Sequence, residues 1–255
     1  MRQLKRAFTL LEISIVVMII SLLLTGVLVG QTVKENSAIT KIIYDLNKYT
    51  EAVISFNQTY KRLPGDMSNA YTVFGSSCGG SAAKCNGDGD GIVEAIDSVD
   101  DDEFSKVFHH LTLADVIQER FLDTSFGNGV TAINGTVCGT SSFDTGAFPG
   151  LNSPELAIAN GTIALHPRGG NEESHKWLVG KGRRCGYPMF SLFTPAQAKK
   201  LDRKLDNGVY NTGIFKVSDA VNGSGDTSCI VSSDFNLTNK KAACYVVYQA
   251  FIGLF

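Results

Sequence analysis

A stretch of twelve residues rich in carboxylates is the part of the sequence best suited to chemistry. It runs N-G-D-G-D-G-I-V-E-A-I-D, with oxygen-bearing side chains at positions one, three and five, glycine at six, and acids at nine and twelve. This spacing lets alternate side chains converge on a hard cation such as Ca²⁺, while the glycine allows a sharp turn. The pattern predicts a calcium site formed by Asn86, Asp88, Asp90, the Ile92 carbonyl, Glu94 and Asp97.

The same stretch also fits a solvated acidic turn that binds nothing. Asn86 stands where calcium loops have their first Asp, and Asp97 replaces the longer bidentate Glu. Cys78 and Cys85 lie just upstream and leave no room for an entering helix, so we do not expect an EF-hand. The acids at 100–103 extend the run, and we interpret them as the solvated start of a helix.

Outside the acidic stretch, the polar residues give weaker indications of a metal site or of an active site. His109 and His110 are neighbours on a predicted helix, where side chains point about 100° apart, so we expect ordinary surface or boundary histidines rather than a shared metal site. No G-x-S-x-G element supports a hydrolase triad. We therefore expect that the chain is not an enzyme. Its net charge of −2 gives no support for binding to nucleic acid.

The first sixty residues form the element that dominates the chain. An apolar run extends from Phe8 to Gly30 and contains one acid, Glu12. Apolar residues then recur at steps of three and four, which predicts a helix with one apolar stripe. Because no proline occurs before Pro64, one continuous helix from Phe8 to Tyr60 is expected. The stripe consists of Ile39, Ile42, Leu46, Tyr49, Val53, Phe56 and Tyr60.

The basic residues before the apolar run allow three interpretations of this terminus. A cleaved secretory signal is disfavoured by the length of the run and by the lack of an A-x-A site before Gln31. A plain uncleaved anchor with its basic end in the cytoplasm leaves Glu12 unexplained, because an acid within a membrane span is costly. The third interpretation accounts for the acid.

The segment A-F-T-L-L-E-I-S-I-V-V, which begins at Ala7, closely resembles the N-terminal motif of type IV prepilins and type II secretion pseudopilins. The resemblance implies that a prepilin peptidase cleaves between Ala7 and Phe8 and methylates the new amine of Phe8. It also implies that Glu12 serves filament assembly by pairing with the amine of a neighbouring subunit. The family usually has glycine before the cut, and Ala7 is the smallest substitute.

The resemblance implies an α+β, pilin-like fold with a long N-terminal helical spine and a C-terminal antiparallel β-sheet head. The leader would comprise residues 1–7, the transmembrane and filament-core helix 8–30, and its amphipathic continuation 31–62. The periplasmic or extracellular head would comprise 63–255. The protein would span the bacterial inner membrane once, with its leader cytoplasmic, before it enters a surface or periplasmic filament.

By resemblance, the chain is a structural subunit of a type IV pilus or a related filament. Its partners would be other pilin-like subunits, prepilin peptidase, and an assembly platform with its ATPase. One alternative is a type II secretion pseudopilin. Another, from a different class, is a membrane-anchored extracellular binding domain, calcium-dependent or not, that does not polymerise.

All six cysteines follow the apolar run, and an even set in that position indicates disulfides in an oxidising compartment. Six cysteines allow 15 connectivities. Sequence proximity favours Cys78–Cys85 and Cys229–Cys244, which leaves Cys138–Cys185 by elimination. By the resemblance, a disulfide near the C-terminus is a usual feature of pilins.

The head is expected to contain two helices and several short strands. Pro64-Gly65-Asp66 ends the first helix, in a stretch that also resembles the helix exit of larger pilin-like proteins. A second amphipathic helix is predicted over 102–120, and a third begins at Thr194 with a capping box and ends at Asn207 and Gly208. Strand-like runs occupy 129–133, 161–165, 176–179, 209–217, 230–231 and 244–252.

Overall fold

The computed structural model describes residues 9–93, 103–122, 147–158, 160–166, 174–182, 187–220 and 228–251. Glu94, Asp97, Cys138, Cys185 and the strand predicted at 129–133 lie outside these residues. The chain divides into two compact units, Met1–Thr40 and Lys41–Phe255.

The predicted N-terminal helix is present as α1, which extends from Leu10 to Tyr60. Every residue from 9 to 34 whose side chain is described is exposed. The side chain of Leu28 is not among those described. The helix is long and apolar enough to cross a membrane. In its second half the stripe residues are buried, because the three-and-four spacing places them on one face. These residues are Ile42, Leu46, Tyr49, Val53 and Phe56.

A four-stranded antiparallel sheet forms the C-terminal part of the fold, as expected. Its strands are β1 (Gly161–His166), β2 (Lys176–Lys181), β3 (Phe215–Asp219) and β6 (Cys244–Tyr248), in the order β1-β2-β6-β3. The register pairs Val179 with Val246, and Val217 with the same residue from the other side. Ile230–Val231 (β4) and Asp234–Phe235 (β5) form a separate two-stranded hairpin.

Helix α4 (Glu103–Leu113) packs between the second half of α1 and the sheet. The Phe108 ring contacts Tyr49 of α1 edge-on at 5.3 Å and stacks on Trp177 of β2 at 5.9 Å between centroids. The helix is shorter than the predicted 102–120. It ends in a turn at Ala114 and Asp115, and Asp115 adopts a φ of 54°, which a helix cannot accommodate.

The other α-helices in the described part of the chain are α2 (Ala70–Phe74), α3 (Ala82–Cys85) and α5 (Pro195–Leu205), and a 3-10 helix spans Gly75–Ser77. Helix α5 has the predicted capping box, since Thr194 and Gln197 exchange side-chain-to-backbone hydrogen bonds. Strand β3 begins later than the predicted 209–217. The preceding residues form a turn in which Val209 N–H donates to the Asn207 side chain.

Two disulfides are present in the described residues, and both are pairs favoured by sequence proximity. Cys78 is bonded to Cys85, with Cα atoms 5.1 Å apart, and Cys229 to Cys244, with Cα atoms 5.2 Å apart. The second attaches the segment before β4 to the first residue of β6, in the middle of the sheet order.

Candidate functional site

The acid in the apolar run forms part of a capping box at the start of α1. The backbone N–H of Thr9 donates to Glu12 Oε2 at 2.8 Å, and the Thr9 hydroxyl donates to the same oxygen at 2.9 Å. The Glu12 N–H in turn donates to the Thr9 hydroxyl at 3.2 Å. The T-x-x-E spacing is the sequence signal for this box. Ala7 and Phe8 lie outside the described residues.

The helix around Glu12 exposes a continuous apolar surface. Leu10 is 93% exposed, and large apolar side chains from there to Val33 stay roughly half exposed or more. A Cβ atom added at Gly26 or Gly30 would meet no atom within 4 Å, so these glycines serve no close packing among the residues that the structure describes. Such a surface is stable only in lipid or against other apolar surfaces.

A second candidate site brings together three carboxylates, which we call the acidic cluster: Asp66, Asp88 and Asp90. Each residue offers one oxygen, and the three oxygens lie within 4.8 Å of one another. Asp66 is only 1% exposed, whereas Asp88 and Asp90 lie at the surface. The cluster is therefore closed on one side and open to solvent on the other.

The end of α1 positions the buried acid of this cluster. Gly65 adopts a φ of 96°, which favours glycine, and its N–H donates to His110 Nδ1 of α4 at 3.0 Å. The loop at 86–93 then crosses close to this turn, and Gly87 N–H donates to the Met67 carbonyl at 3.1 Å. A side chain at Gly87 would overlap the Gly65 carbonyl oxygen, so only glycine permits this approach of two backbones.

Backbone N–H groups orient the three carboxylates. Gly91 donates to Asp66 Oδ2 at 3.2 Å, Asp90 N–H to Asp88 Oδ1 at 2.9 Å, and Ile92 N–H to Asp90 Oδ1 at 2.7 Å. Gly89 and Gly91 adopt φ values of 84° and 88°, which let the chain turn twice within a few residues.

The electrostatics of the cluster are unfavourable for the buried acid. Burial raises the pKa of Asp66 to about 6; the charges of Asp90 and Asp88 act in the same direction, and the N–H groups of Gly89 and Gly91 oppose them. The Oδ1 atom of Asp66 is buried and has no hydrogen-bond partner among the residues that the structure describes.

The acidic cluster contains two of the predicted ligands, Asp88 and Asp90, and one residue that was not predicted, Asp66. Asn86 Oδ1 accepts a hydrogen bond from Tyr71 N–H at 2.8 Å, near the start of α2. Asp66 was expected only at the helix exit, and it lies beside Asp88 and Asp90. The spacing of residues within the predicted calcium loop gives no indication of Asp66, because Asp66 lies outside that loop in the sequence. Glu94 and Asp97 lie outside the described residues.

Glu103 is not the solvated residue that was expected. It is 1% exposed, and its Oε1 accepts the Asp88 N–H at 2.9 Å. The first residue of α4 thus holds the loop that carries the cluster. Its neighbour on the next turn, Lys106, is also buried and donates from Nζ to the Asn86 carbonyl at 2.8 Å.

The two histidines of α4 are buried, in contrast to the surface or boundary positions expected for them. His110 lies close to Cys78 and Cys85, but those sulfurs are joined in a disulfide. Since Gly65 N–H donates to His110 Nδ1, the ring proton lies on Nε2 and donates to the Cys85 carbonyl at 3.0 Å. His109 instead contacts the Phe121 carbonyl through Nδ1 at 2.8 Å. The histidines therefore support the fold.

Comparison of the chain with protein-family models, with curated proteins and with solved structures finds no match. Its function must be inferred from its own residues. Two features carry chemical information: the apolar first half of α1 with its acid, and the acidic cluster at the end of α1.

Proposed function

We propose that this protein is a pilin-like structural subunit that is held in a membrane by the first half of α1 and assembles into a filament through it. In this proposal a prepilin peptidase cleaves between Ala7 and Phe8 and methylates the amine of Phe8. An assembly platform and its ATPase then move the subunit from the inner membrane into the filament.

The contrast between the two halves of α1 is the observation that carries the proposal. The second half buries one stripe, as a helix does when it packs on a globular domain. The first half exposes apolar side chains on all faces, which suits lipid in one state and neighbouring helices in another. A helix needed only for anchoring requires no acid, whereas Glu12 offers a carboxylate for a neighbouring subunit's amine.

A specific observation also favours a second candidate, a membrane-anchored head that does not polymerise. The capping box with Thr9 gives Glu12 a role within its own helix. Under this alternative the acid stabilises the start of α1, and the head acts alone. A type II secretion pseudopilin uses the same helix, and no described residue separates it from a pilin.

The experiment that distinguishes filament from anchor is a substitution of Glu12 in the native host. Glu12→Ala is compared with Glu51→Ala, which changes another exposed acid of the same helix outside the apolar half. Membrane-bound protein and protein in sheared filaments are quantified separately. We expect Glu12→Ala to remain in the membrane fraction and to be lost from filaments, while Glu51→Ala behaves as wild type.

Absence of the wild-type protein from the filament fraction would overturn the filament proposal in favour of the anchored head. Equal incorporation of both variants would overturn the role in assembly that the proposal gives to Glu12. The intact mass of the membrane-derived protein provides an independent check. We expect a chain that begins at methylated Phe8, whereas a chain that retains residues 1–7 would contradict processing by prepilin peptidase.

A further inference from the structure

The acidic cluster contains a buried carboxylate oxygen without a hydrogen-bond partner in the described part of the chain. Asp66 Oδ1 is this atom, and the whole residue is only 1% exposed. A buried charged group without compensation is strongly unfavourable, so proteins pair such groups or use them to coordinate metals. Asp66 faces Asp88 and Asp90, which carry further negative charge.

The spacing of the three carboxylates matches one central cation. Calcium takes oxygen ligands at about 2.3–2.6 Å, so two ligands on opposite sides of the ion lie about 5 Å apart. The three oxygens of the cluster lie within 4.8 Å of one another, which one ion can bridge. The neighbouring hydrogen bonds from Gly91, Asp90 and Ile92 hold the carboxylates in place before an ion binds.

The donor set selects the kind of metal. All three donors are carboxylates, which hard cations prefer, and the cluster includes no nitrogen or sulfur for zinc or copper. Magnesium keeps several waters and is rarely held by an all-protein cage, whereas calcium accepts several carboxylates in flexible geometry. The exposed side at Asp88 and Asp90 gives an ion a path of entry and room for water ligands.

We propose that Asp66, Asp88 and Asp90 bind one calcium ion, which joins the end of α1 to the loop at 86–93. The ion compensates the buried Asp66 and the negative charge around it. Because Glu103 holds the same loop through Asp88 N–H, the ion also links the end of α1 to the start of α4. Calcium therefore stabilises the junction between the long helix and the head that it carries.

The test uses the full chain in detergent, first stripped of divalent cations with a chelator. Calcium binding is measured by equilibrium dialysis and calorimetry, and the midpoint of thermal unfolding is followed in calcium, in magnesium and in chelator. We expect one bound calcium per chain and a rise in the midpoint of about 5 °C or more at a calcium concentration roughly 100-fold above Kd. Magnesium alone at the same concentration produces a smaller rise.

Three substitutions separate the proposed ligand set from other calcium sites. Asp66→Asn keeps the size of the side chain and its ability to accept from Gly91, and is expected to weaken calcium binding by about tenfold or more. Asp90→Asn, at an exposed position, has the same effect with less risk to folding. Asp115→Asn is the matched control at an exposed site outside the cluster, and its calcium affinity equals that of the wild type.

Several results would overturn the proposal. One is no binding at about 10 mM calcium, roughly tenfold above the Kd of the weakest extracellular calcium modules. Another is wild-type affinity in both Asp66→Asn and Asp90→Asn, which would place any bound ion elsewhere. Loss of binding in Asn86→Ala with retention in Asp66→Asn would restore the ligand set expected from the loop sequence alone.

Discussion

The indole nitrogen of Trp177 donates a hydrogen bond to the hydroxyl of Thr50 at 2.9 Å, although the two residues lie 127 positions apart in sequence. The Thr50 hydroxyl also donates to the Leu46 carbonyl of its own helix at 2.8 Å, so this hydroxyl both accepts and donates a hydrogen bond. Trp177 is completely buried and contacts Phe108 and Phe251. This bond fixes the rotation of the second half of α1 relative to β2.

Replacing Thr50 with Val is expected to destabilise the head by about 1–3 kcal/mol, because the buried indole N–H of Trp177 loses its acceptor. For a chain of this size the unfolding midpoint falls by roughly 2–4 °C per kcal/mol. Thr59→Val is the control, since Thr59 makes the same bond to the residue four positions before it but is exposed. Similar losses in the two variants would contradict a special role for the Thr50–Trp177 bond.

His110 is expected to make the stability of the head depend on pH. Burial lowers its pKa to about 3, with further lowering by His109 and Lys106 and an opposing hydrogen bond to the Cys85 carbonyl. Below the unfolded pKa of about 6.5, His110 is protonated in the unfolded chain but stays neutral in the folded chain. Stability from this group is therefore complete above about pH 6.5 and is lost as pH falls towards 3.

The contribution of His110 is isolated by comparing wild type with His110→Gln at each pH. The difference in free energy of unfolding should shrink as pH falls below 6.5, by up to about 1.4 kcal/mol per pH unit. Chemical denaturation between about pH 7 and 5 measures this difference. A difference that stays constant over the range would mean that the pKa of His110 in the folded protein is not lowered from its unfolded value.

Two substitutions at the start of α1 separate capping from charge. Thr9→Ala removes the cap but keeps the acid, whereas Glu12→Gln keeps a side-chain acceptor for the Thr9 N–H and removes the charge. If filament assembly uses the charge, Glu12→Gln should lower incorporation by roughly tenfold or more while Thr9→Ala leaves it near the wild-type level. The amounts in sheared filaments and in membranes are measured. The opposite ranking would assign the role of Glu12 to capping alone.

Gly87→Ala is expected to disturb the contact between the loop at 86–93 and the end of α1. The new methyl group would overlap the Gly65 carbonyl and the Glu103 carboxylate, at a cost of about 1–3 kcal/mol. Calcium affinity should fall with stability, because Asp66 moves away from the other two carboxylates. Gly26→Ala, whose new methyl group meets no atom within 4 Å, is the control and should lower neither quantity. Wild-type stability in Gly87→Ala would show that the loop can move aside.

The parts of the fold that follow local rules were predictable from the sequence. The apolar run and the apolar residues at steps of three and four that follow it predict α1, and the Thr194–Gln197 capping box marks the start of α5. The acidic cluster was predictable only in part. Asp88 and Asp90 follow a local spacing, whereas Asp66 reaches them because two glycines let distant backbones approach, and no pattern within one stretch reports such an approach.

The same limit explains the error at Glu103. A run of acids ahead of an amphipathic helix is normally solvated, so the local pattern favoured exposure. The residue is instead buried, because the Asp88 N–H requires an acceptor beneath the loop. Local spacing cannot indicate which member of an acidic run turns inward.

The order of strands in the sheet has a consequence for biogenesis. Strand β6 lies between β2 and β3 but follows both in the chain, so neither can acquire its central neighbour until residues 244–248 have been synthesised. Until then β2 and β3 each present an unpaired edge. The four-stranded sheet is therefore incomplete during most of the synthesis of the head, and an incomplete sheet does not oppose threading of the polypeptide across a membrane. In the proposed membrane topology, closure of the sheet and formation of the disulfide between Cys229 and Cys244 follow translocation of the head.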